Sequence, residues 1–401
     1  MSAPWLTLIG IGEDGFLPEA ARQALEDAEV VYGSARHFKL TPSFAGKQKT
    51  WPSPFSAVFD ELIALHGRPV AVLATGDPQW YGIGSTLVRK FSPEEIRVLP
   101  APSAFQLAAA RLGWALQDVE AISLHGRPVE TLNGFLYPGA QIIALTSNGE
   151  TPKTVAEILA GSGYGRSRMT VLEHMGGDKE RIVSGSAGDW RETVADFNTL
   201  ALEIAADPGV AFRPRVPGLA DEAFVHDGKM TKREVRAVTL AHLMPHPDAL
   251  LWDIGLGCGS IAIEWMRSAR GARAIGLEPN ADRRGLASEN ALALGVPSLE
   301  IREATAPDGL SGLPAPNAIF IGGGLTAEGI VDACHDALRP GGRLVANAVT
   351  LESEAVLLDA HQRLGGGLTR ISVERAGAVG GLTGWRPLMP VTQWHLIKGA
   401  H

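Results

Sequence analysis

The sequence predicts an α/β protein made of two unlike domains. Three observations carry this. Short apolar runs that read as strands end repeatedly in small-residue turns, as at Gly10-Ile11-Gly12, Gly76-Asp77-Pro78 and Gly255-Leu256-Gly257-Cys258-Gly259. Stretches with helical periodicity alternate with these runs along the chain. The halves meet in a stretch too rich in proline and glycine for a long regular element, and they share no repeated motif.

In the first half, Trp5 to Ile9 is an apolar strand feeding the Gly10-Ile11-Gly12 turn, and Ala20 to Val31 reads as a helix. Pro69 to Ala74 is a second strand, stopping at Thr75-Gly76-Asp77-Pro78. Ile96 to Leu99 is a third, stopping at Pro100-Ala101-Pro102-Ser103, where Ser103 is placed to cap a helix over Ala104 to Leu112. Gln141 to Leu145 is a fourth, followed by Thr146-Ser147-Asn148-Gly149. Thr151 is the expected cap of the next helix, with Pro152 at its first position, where a missing N–H costs nothing. Met169 to Leu172 opens another extended segment. Ligands of α/β folds gather at such C-terminal strand ends.

Between Ala206 and Gly218 lie three prolines and two glycines in thirteen residues. We place a first domain at 1–208, a linker at 209–217 and a second domain at 218–401. The second domain restarts with a helix whose Thr231-Lys232-Arg233-Glu234 start has the form of a capping box. Strands follow at Ala249 to Ile254, Ala274 to Leu277, Ser298 to Ile301, Asn317 to Ile321 and Arg343 to Val349. Helices over Ser260 to Met266, Arg283 to Leu294 and Ile330 to Leu338 separate them. Leu368 to Glu374 and Thr392 to Ile397 then come in succession, which argues a mostly parallel sheet ending in a hairpin-like pair.

Composition bounds the function. At 401 residues, with 45% hydrophobic and 20% charged, the chain is an ordinary soluble one with material for two cores. A formal net charge of -8 argues against a general nucleic-acid binder, though not against a local basic pocket. Cys258 and Cys334 are too few for a disulfide framework or a four-thiolate zinc site, and we expect no metal. No apolar run is long enough to span a membrane, and the N-terminus lacks the basic start of a signal peptide; a cytoplasmic setting is expected.

The sharpest local signal is Trp252-Asp253-Ile254-Gly255-Leu256-Gly257-Cys258-Gly259-Ser260, a strand running through glycines into a helix. Glycines let the backbone turn tightly and let a ligand approach it, and the helix start offers unpaired N–H groups. Glu278 ends the next strand, where a carboxylate can take both hydroxyls of an adenosine ribose. Nicotinamide dinucleotides and S-adenosylmethionine both use such an acid. The Gly-x-Gly-x-Gly spacing, with Ser260 where a dinucleotide fingerprint wants its last glycine, favours S-adenosylmethionine. Gly322-Gly323-Gly324 is a second glycine loop at a strand end, and Asn347, at the end of the next strand, reads equally well as a plain turn residue. In the first half, Asp77 reads first as a turn cap, and the residues alone say only that this half is an α/β ligand-binding domain.

From about residue 5 to 398 the chain resembles the decarboxylating precorrin C5,15-methyltransferases, fused enzymes of cobalamin synthesis. Its first domain is similar to tetrapyrrole methylases through Gly10-Ile11-Gly12, Arg36-His37, Gly76-Asp77-Pro78, Tyr81-Gly82-Ile83-Gly84, Pro102-Ser103-Ala104-Phe105, His125-Gly126-Arg127 and Glu173-His174 with Gly176-Gly177. That implies two α/β subdomains with S-adenosylmethionine in the cleft, touching Gly10, Gly12, Gly76, Asp77, Pro78 and Ser103. Ser147 stands where this branch often has aspartate. The second domain is similar to Rossmann-like class I methyltransferases that methylate C15 and decarboxylate, with a mostly parallel seven-stranded sheet. The matching stretches are Met230 to Glu234, Gly255 to Gly259, Glu278-Pro279-Asn280, Ala306-Pro307, Gly322 to Gly324 and Leu338 to Gly342. The implied cofactor contacts are Thr231, Gly255, Gly257, Cys258, Gly259, Glu278 and Ala306.

The resemblance implies methylation of precorrin-6B at C5 and C15 with two S-adenosylmethionine, giving S-adenosylhomocysteine, and loss of the C12 acetate carboxylate to give precorrin-8. The alternatives are the same chemistry on a cobalt-containing precorrin, methylation of another substrate such as RNA, a nicotinamide oxidoreductase, and a non-catalytic tetrapyrrole carrier. The substrate carries many carboxylates, and Arg36, His37, His125, Arg127, Lys232 and Arg233 are its candidate contacts because they stand beside ligand loops. No catalytic acid or base is identified. A homo-oligomer is expected, without nucleic-acid or membrane partners.

Overall fold

The computed structural model describes residues 4–399. The chain forms two compact units, one of residues up to Val129 with Pro138–Val210, the other of Glu130–Tyr137 with the chain from Ala211 onward.

The first unit holds two five-stranded sheets. One is made of β1 (Leu6–Ile11), β2 (Val30–Tyr32), β3 (Lys47–Lys49), β4 (Val70–Thr75) and β5 (Ile96–Leu99), in the order β3-β2-β4-β1-β5 with every pairing parallel. Leu6, Leu8, Val70 and Val72 pack on one face, and Ile9, Ile11, Ala71 and Leu73 on the other. Burial on both faces is why β1 and β4 read as unbroken apolar runs. The other sheet comprises β6 (Glu120–Ser123), β7 (Gln141–Leu145), β8 (Arg168–Glu173), β9 (Arg181–Ser186) and β10 (Asn198–Glu203), ordered β6-β7-β10-β8-β9. Only β6 and β7 run parallel there.

The second unit contains a seven-stranded sheet of β11 (Leu250–Ile254), β12 (Arg273–Leu277), β13 (Glu300–Arg302), β14 (Ala318–Ile321), β15 (Arg343–Ala348), β16 (Gly367–Ile371) and β19 (Val391–Ile397). Its order is β13-β12-β11-β14-β15-β19-β16, parallel except that β19 is antiparallel to both neighbours. This is the predicted mostly parallel seven-stranded sheet. Between β16 and β19 the chain adds a two-stranded ribbon, β17 (Glu374–Val379) with β18 (Leu382–Pro387). Leu251, Phe320 and Val345 pack with Ile261 and Trp265 of the helix Ser260–Ser268, while Trp252, Ile254, Ile319 and Trp394 pack with the helices Ile330–Ala337 and Leu351–Leu364.

Several local expectations change. The helix expected over Ala20 to Val31 stops at Glu26, and Val30–Tyr32 becomes a buried strand, as β-branched and aromatic residues favour. Thr151 is the first helical residue and not the cap; its hydroxyl instead accepts weak bonds from the N–H groups of Ser147 (3.3 Å) and Asn148 (3.4 Å). The capping box at Thr231 does not form: Lys232 is the N-cap, without a side-chain bond, and Glu234 turns to Arg375 at 2.6 Å. A full guanidinium is a stronger partner for that carboxylate than a single backbone N–H. Ser103 caps as expected, in a reciprocal box with Gln106. The two closing strands are neighbours, but a helix precedes them and the ribbon separates them in sequence.

Candidate functional site

In the first unit, three adjacent parallel strands, β4, β1 and β5, end side by side. A Cβ on Gly10 would lie 2.0 Å from the Gly76 carbonyl oxygen and 2.5 Å from the Ala101 nitrogen. Only glycine lets these loops touch backbone to backbone. Gly76 is left-handed (φ 63°), and a Cβ there would sit 2.9 Å from the Ser103 Cα. Gly10, Gly76 and Ser103 are thus brought together as expected. Gly12 lies on the same loop as Gly10, facing the Asp14 side chain. Asp77 accepts the Gln79 N–H at 2.8 Å, the turn-capping role, and the buried Pro78 accepts from Gly84 at 2.8 Å.

Beside these loops, the Glu13 carboxylate takes Arg36 on one oxygen and His174 Nδ1 on the other, the latter at 3.2 Å. Arg36 also donates to the Thr75 hydroxyl at 2.5 Å and lies 4.2 Å over the Phe197 ring. His37 Nδ1 accepts from the Ser34 N–H, so its Nε2–H donates to Thr75 at 3.0 Å. Burial, and next the Arg36 charge, push the His37 imidazole down to about 4 against the pull of Glu13. His37 is therefore neutral near pH 7 and presents no charge to an anion, which removes the reason for expecting it as a carboxylate contact. Arg36 keeps its charge but shares it with Glu13. On the second sheet, His125 donates through Nδ1 to the Thr146 carbonyl at 3.2 Å, and exposed Arg127 lies 5.3 Å over the Tyr81 ring. Ser147 joins the two strand-end loops: its hydroxyl donates to Leu124 O (3.1 Å) and accepts from Gly126 N–H (3.2 Å).

In the second unit, the three loop glycines are all left-handed, with φ of 75°, 57° and 83° at Gly255, Gly257 and Gly259. Their surroundings differ. A Cβ on Gly255 would meet Gly323 N at 2.6 Å and Gly323 Cα at 2.7 Å. The two glycine loops are held there by Gly322 and Gly323 N–H groups donating to Ile254 O at 2.9 and 3.2 Å. Gly259 faces Ile263 and Ala287 at 3.1 and 3.2 Å. At Gly257 the nearest atom is the Lys229 carbonyl, 3.8 Å off. Packing explains the first and third glycines; the middle one borders open space, the room a ligand needs.

Glu278, at the end of β12, is buried and accepts Gly257 N–H at 2.9 Å and Asn280 N–H at 3.0 Å, one on each oxygen. Each oxygen retains a lone pair for a hydroxyl. The Cys258 thiol is buried, which pushes its pKa up, and its carbonyl accepts from Asn290 at 2.9 Å; it is a packing residue, not a nucleophile. Ala306 lies in the turn after β13, half-buried against the core. The Thr231 carbonyl accepts from Arg236 at 2.7 Å. Lys232 is half-buried and Arg233 exposed, and among the described residues neither is ion-paired.

Two features went unread in the sequence. Asp253, an acid inside an apolar strand two residues before the glycines, is wholly buried. Burial, with Glu278 nearby, pushes its carboxyl up to about 8 despite the Ala262 N–H at 3.0 Å. Its second oxygen has no partner among the described residues. Below the helix start, fully buried Arg236 holds Glu264 at 2.7 Å and Asp221 at 3.2 Å, and Glu264 also accepts the N–H groups of Gly218 and Leu219. Arg375 from the ribbon completes the network through Asp221 at 2.9 Å.

Two family models match: tetrapyrrole (corrin/porphyrin) methylases over residues 6–190, and a precorrin methyltransferase domain over 222–398. A precorrin-6Y C(5,15)-methyltransferase [decarboxylating] of Sinorhizobium sp is 50% identical over 401 residues, 99% of this chain and 97% of that protein. The chain belongs to the decarboxylating precorrin-6Y C5,15-methyltransferase family. As a precorrin-6Y methyltransferase it is an enzyme, a transferase acting on carbon. A cobalt-precorrin-7 C(5)-methyltransferase of Salmonella typhimurium is 32% identical over 179 residues, 44% of this chain and 88% of that protein. Among solved structures, the C-terminal domain of precorrin-6Y C5,15-methyltransferase from Rhodobacter capsulatus is 44% identical, spanning 46% of this chain and 100% of that one, with a TM-score of 0.44. Among the described residues no helix is long and apolar enough to cross a membrane.

Proposed function

We propose that the chain methylates precorrin-6B at C5 in the first unit and at C15 in the second, and removes the C12 acetate carboxylate, giving precorrin-8. The carrying observation is the presence of two separate glycine-built cradles on two different folds. Each fits an adenosyl-sulfonium. In the second, open space lies beside Gly257, Glu278 keeps lone pairs for ribose hydroxyls, and Asp253 has an unpartnered oxygen. In the first, the loops at Gly10–Gly12, Gly76–Pro78 and Ser103 converge. When bound, S-adenosylmethionine supplies a methyl already activated for transfer.

The protein's task is to hold an electron-rich meso carbon in line with that methyl and keep water out. Decarboxylation needs only that the electrons of the breaking C–C bond pass into the protonated conjugated ring, so the carboxylate must be left undisturbed. Arg127, Lys232 and Arg233, with Arg36 in part, are the side chains with charge to spare for the other carboxylates. The C5 assignment is supported by a C5-methylating relative of which the chain covers most, and by the tetrapyrrole methylase match over 6–190. The metal-free precorrin is favoured over the cobalt-containing one, since the relative matched along the full chain is named for precorrin.

Incubation with precorrin-6B and S-adenosylmethionine, followed by mass analysis, tests this. Two added methyl groups and one lost carbon dioxide are expected; a single methyl, or turnover only with the cobalt-containing ring, overturns it. Calorimetry with S-adenosylhomocysteine should find two sites per chain.

A further inference from the structure

We infer that His174, oriented by Glu13, is the base that removes the C5 proton during methylation in the first unit. This rests on the reading that the first unit carries the C5 chemistry.

The chemistry requires such a group. Methylation replaces a carbon–hydrogen bond by a carbon–carbon bond. As the meso carbon attacks, the sulfur–methyl bond breaks and its pair returns to sulfur. The former meso proton must then leave, its bonding pair restoring the conjugation of the ring. A positioned side chain with an available lone pair accelerates that loss.

His174 has the orientation this needs. Its Nδ1 faces a Glu13 carboxylate oxygen at 3.2 Å, and since the carboxylate only accepts, Nδ1 carries the hydrogen. The lone pair is thereby placed on Nε2, which has no partner among the described residues. The side chain is about a quarter exposed (24%), enough for a ligand to reach it. Glu13 follows directly on the Gly10–Gly12 loop, and its other oxygen holds Arg36, which is bonded to Thr75 at the end of β4. The base is thus tied to two of the three loops that form the cradle.

The protein also holds His174 in a backbone state that side chains avoid, with φ of 46°. The residues around it enforce this. Glu173 is fixed by Arg181 through two bonds of 2.7 Å and by the Ala195 N–H at 2.7 Å. The following turn closes with Gly177 N–H on the His174 carbonyl at 3.0 Å. A Cβ on Gly177 would lie 2.4 Å from Glu13 Cγ, so only glycine lets this turn rest on the carboxylate. The Phe197 ring, 5.5 Å from the imidazole, walls one side. The charged and titratable groups facing His174 are Glu13 and Arg36 from the first sheet's loops, with neutral His37 behind them, and the Glu173–Arg181 pair from its own sheet.

The test uses the full chain, precorrin-6B and S-adenosylmethionine labelled with carbon-13 in the methyl, so that carbon-13 spectra count C5 and C15 methyls separately. His174→Asn is expected to lower kcat for C5 methylation about a hundredfold, to abolish its acidic pH limb, and to leave KM and S-adenosylhomocysteine affinity within threefold. C15 methylation and decarboxylation stay unchanged. Glu13→Ala is expected to lower kcat for C5 methylation as well, because no acceptor then orients the imidazole. Nitrogen-15 spectra of the ligand-free protein should show the His174 ring protonated on Nδ1 in the wild type, with that preference lost in Glu13→Ala, where no acceptor remains. Wild-type C5 kcat in His174→Asn, or a loss confined to KM and cofactor affinity, overturns the inference while sparing the domain assignment. Loss of C15 in place of C5 methylation overturns both.

Discussion

The two cradles solve one problem with opposite kinds of anchor. In the first unit the charged anchor is Glu13–Arg36, with side chains 17% and 31% exposed, and it borders the cleft itself. In the second it is Arg236 with Glu264, at 0% and 2%, beneath the start of the glycine helix. A half-hydrated pair adds little to stability but can exchange partners when an anionic ligand arrives. A dehydrated pair with its remaining valences bonded to backbone fixes geometry and tolerates no loss of a member. The first unit spends its charge near the chemistry; the second spends it on scaffolding and leaves binding to backbone and buried carboxyls.

The largest expected effect breaks this contrast directly. Arg236→Ala strands Glu264 without a counter-charge in the interior, leaves Asp221 with Arg375 alone, and should cost the second unit ~3–5 kcal/mol. Arg36→Ala should cost the first at most about 1 kcal/mol, after screening by solvent, while weakening substrate binding. Denaturant unfolding followed by hydrogen exchange in each unit measures both; equal losses would dissolve the distinction.

A finer comparison lies inside one loop. Gly255→Ala places a methyl against the Gly323 backbone and holds alanine at a left-handed φ, costing roughly 1–3 kcal/mol from overpacking beyond the strain itself. Gly257→Ala meets nothing closer than 3.8 Å, so only the conformational cost of roughly 1–2 kcal/mol remains. The order reverses for the ligand. Gly257→Ala should weaken S-adenosylhomocysteine binding in the second unit at least tenfold while costing less stability than Gly255→Ala. If it binds as wild type does, the open side of Gly257 is not where the ligand lies.

What the sequence disclosed follows the same division. Runs buried on both faces, such as β1 and β4, were legible because nothing charged interrupts them. β3 is the exposed Lys-Gln-Lys, with no pattern to see, and β9 shows its alternation only weakly. The helix Leu351–Leu364 did carry signals that went unread: a Thr350 cap, Glu352 and Glu354 in its first turn, His361 and Arg363 in its last. At the sites, glycines and Glu278 were legible because local backbone needs select them. The roles of Glu13, His174 and Asp253 were not, although His174 stood in a matched stretch and Asp253 just before the glycines. The first two act through a contact spanning 161 residues, and the third is informative only once its burial is known.

The pH-dependent effects have opposite signs in the two units. Asp253 has its carboxyl raised from 3.8 to about 8, so the folded second unit keeps a proton that the unfolded chain releases. Its stability contribution is complete below pH 3.8 and is lost as pH rises toward 8. His37 is lowered from 6.5 to about 4, so the folded first unit refuses a proton that the unfolded chain takes up. Its contribution is complete above pH 6.5 and is lost as pH falls toward 4. Each slope is bounded by about 1.4 kcal/mol per pH unit. Between pH 4 and 6.5 a rise in pH should therefore strengthen the first unit while weakening the second, read as diverging exchange protection. Asp253→Asn mimics the protonated carboxyl and still accepts the Ala262 N–H, so it should flatten the second unit's trend alone. His37→Gln should flatten only the first. A trend that survives in both variants would mean that other groups set the pH response, and that these two side chains are buried for packing rather than held in a chosen charge state.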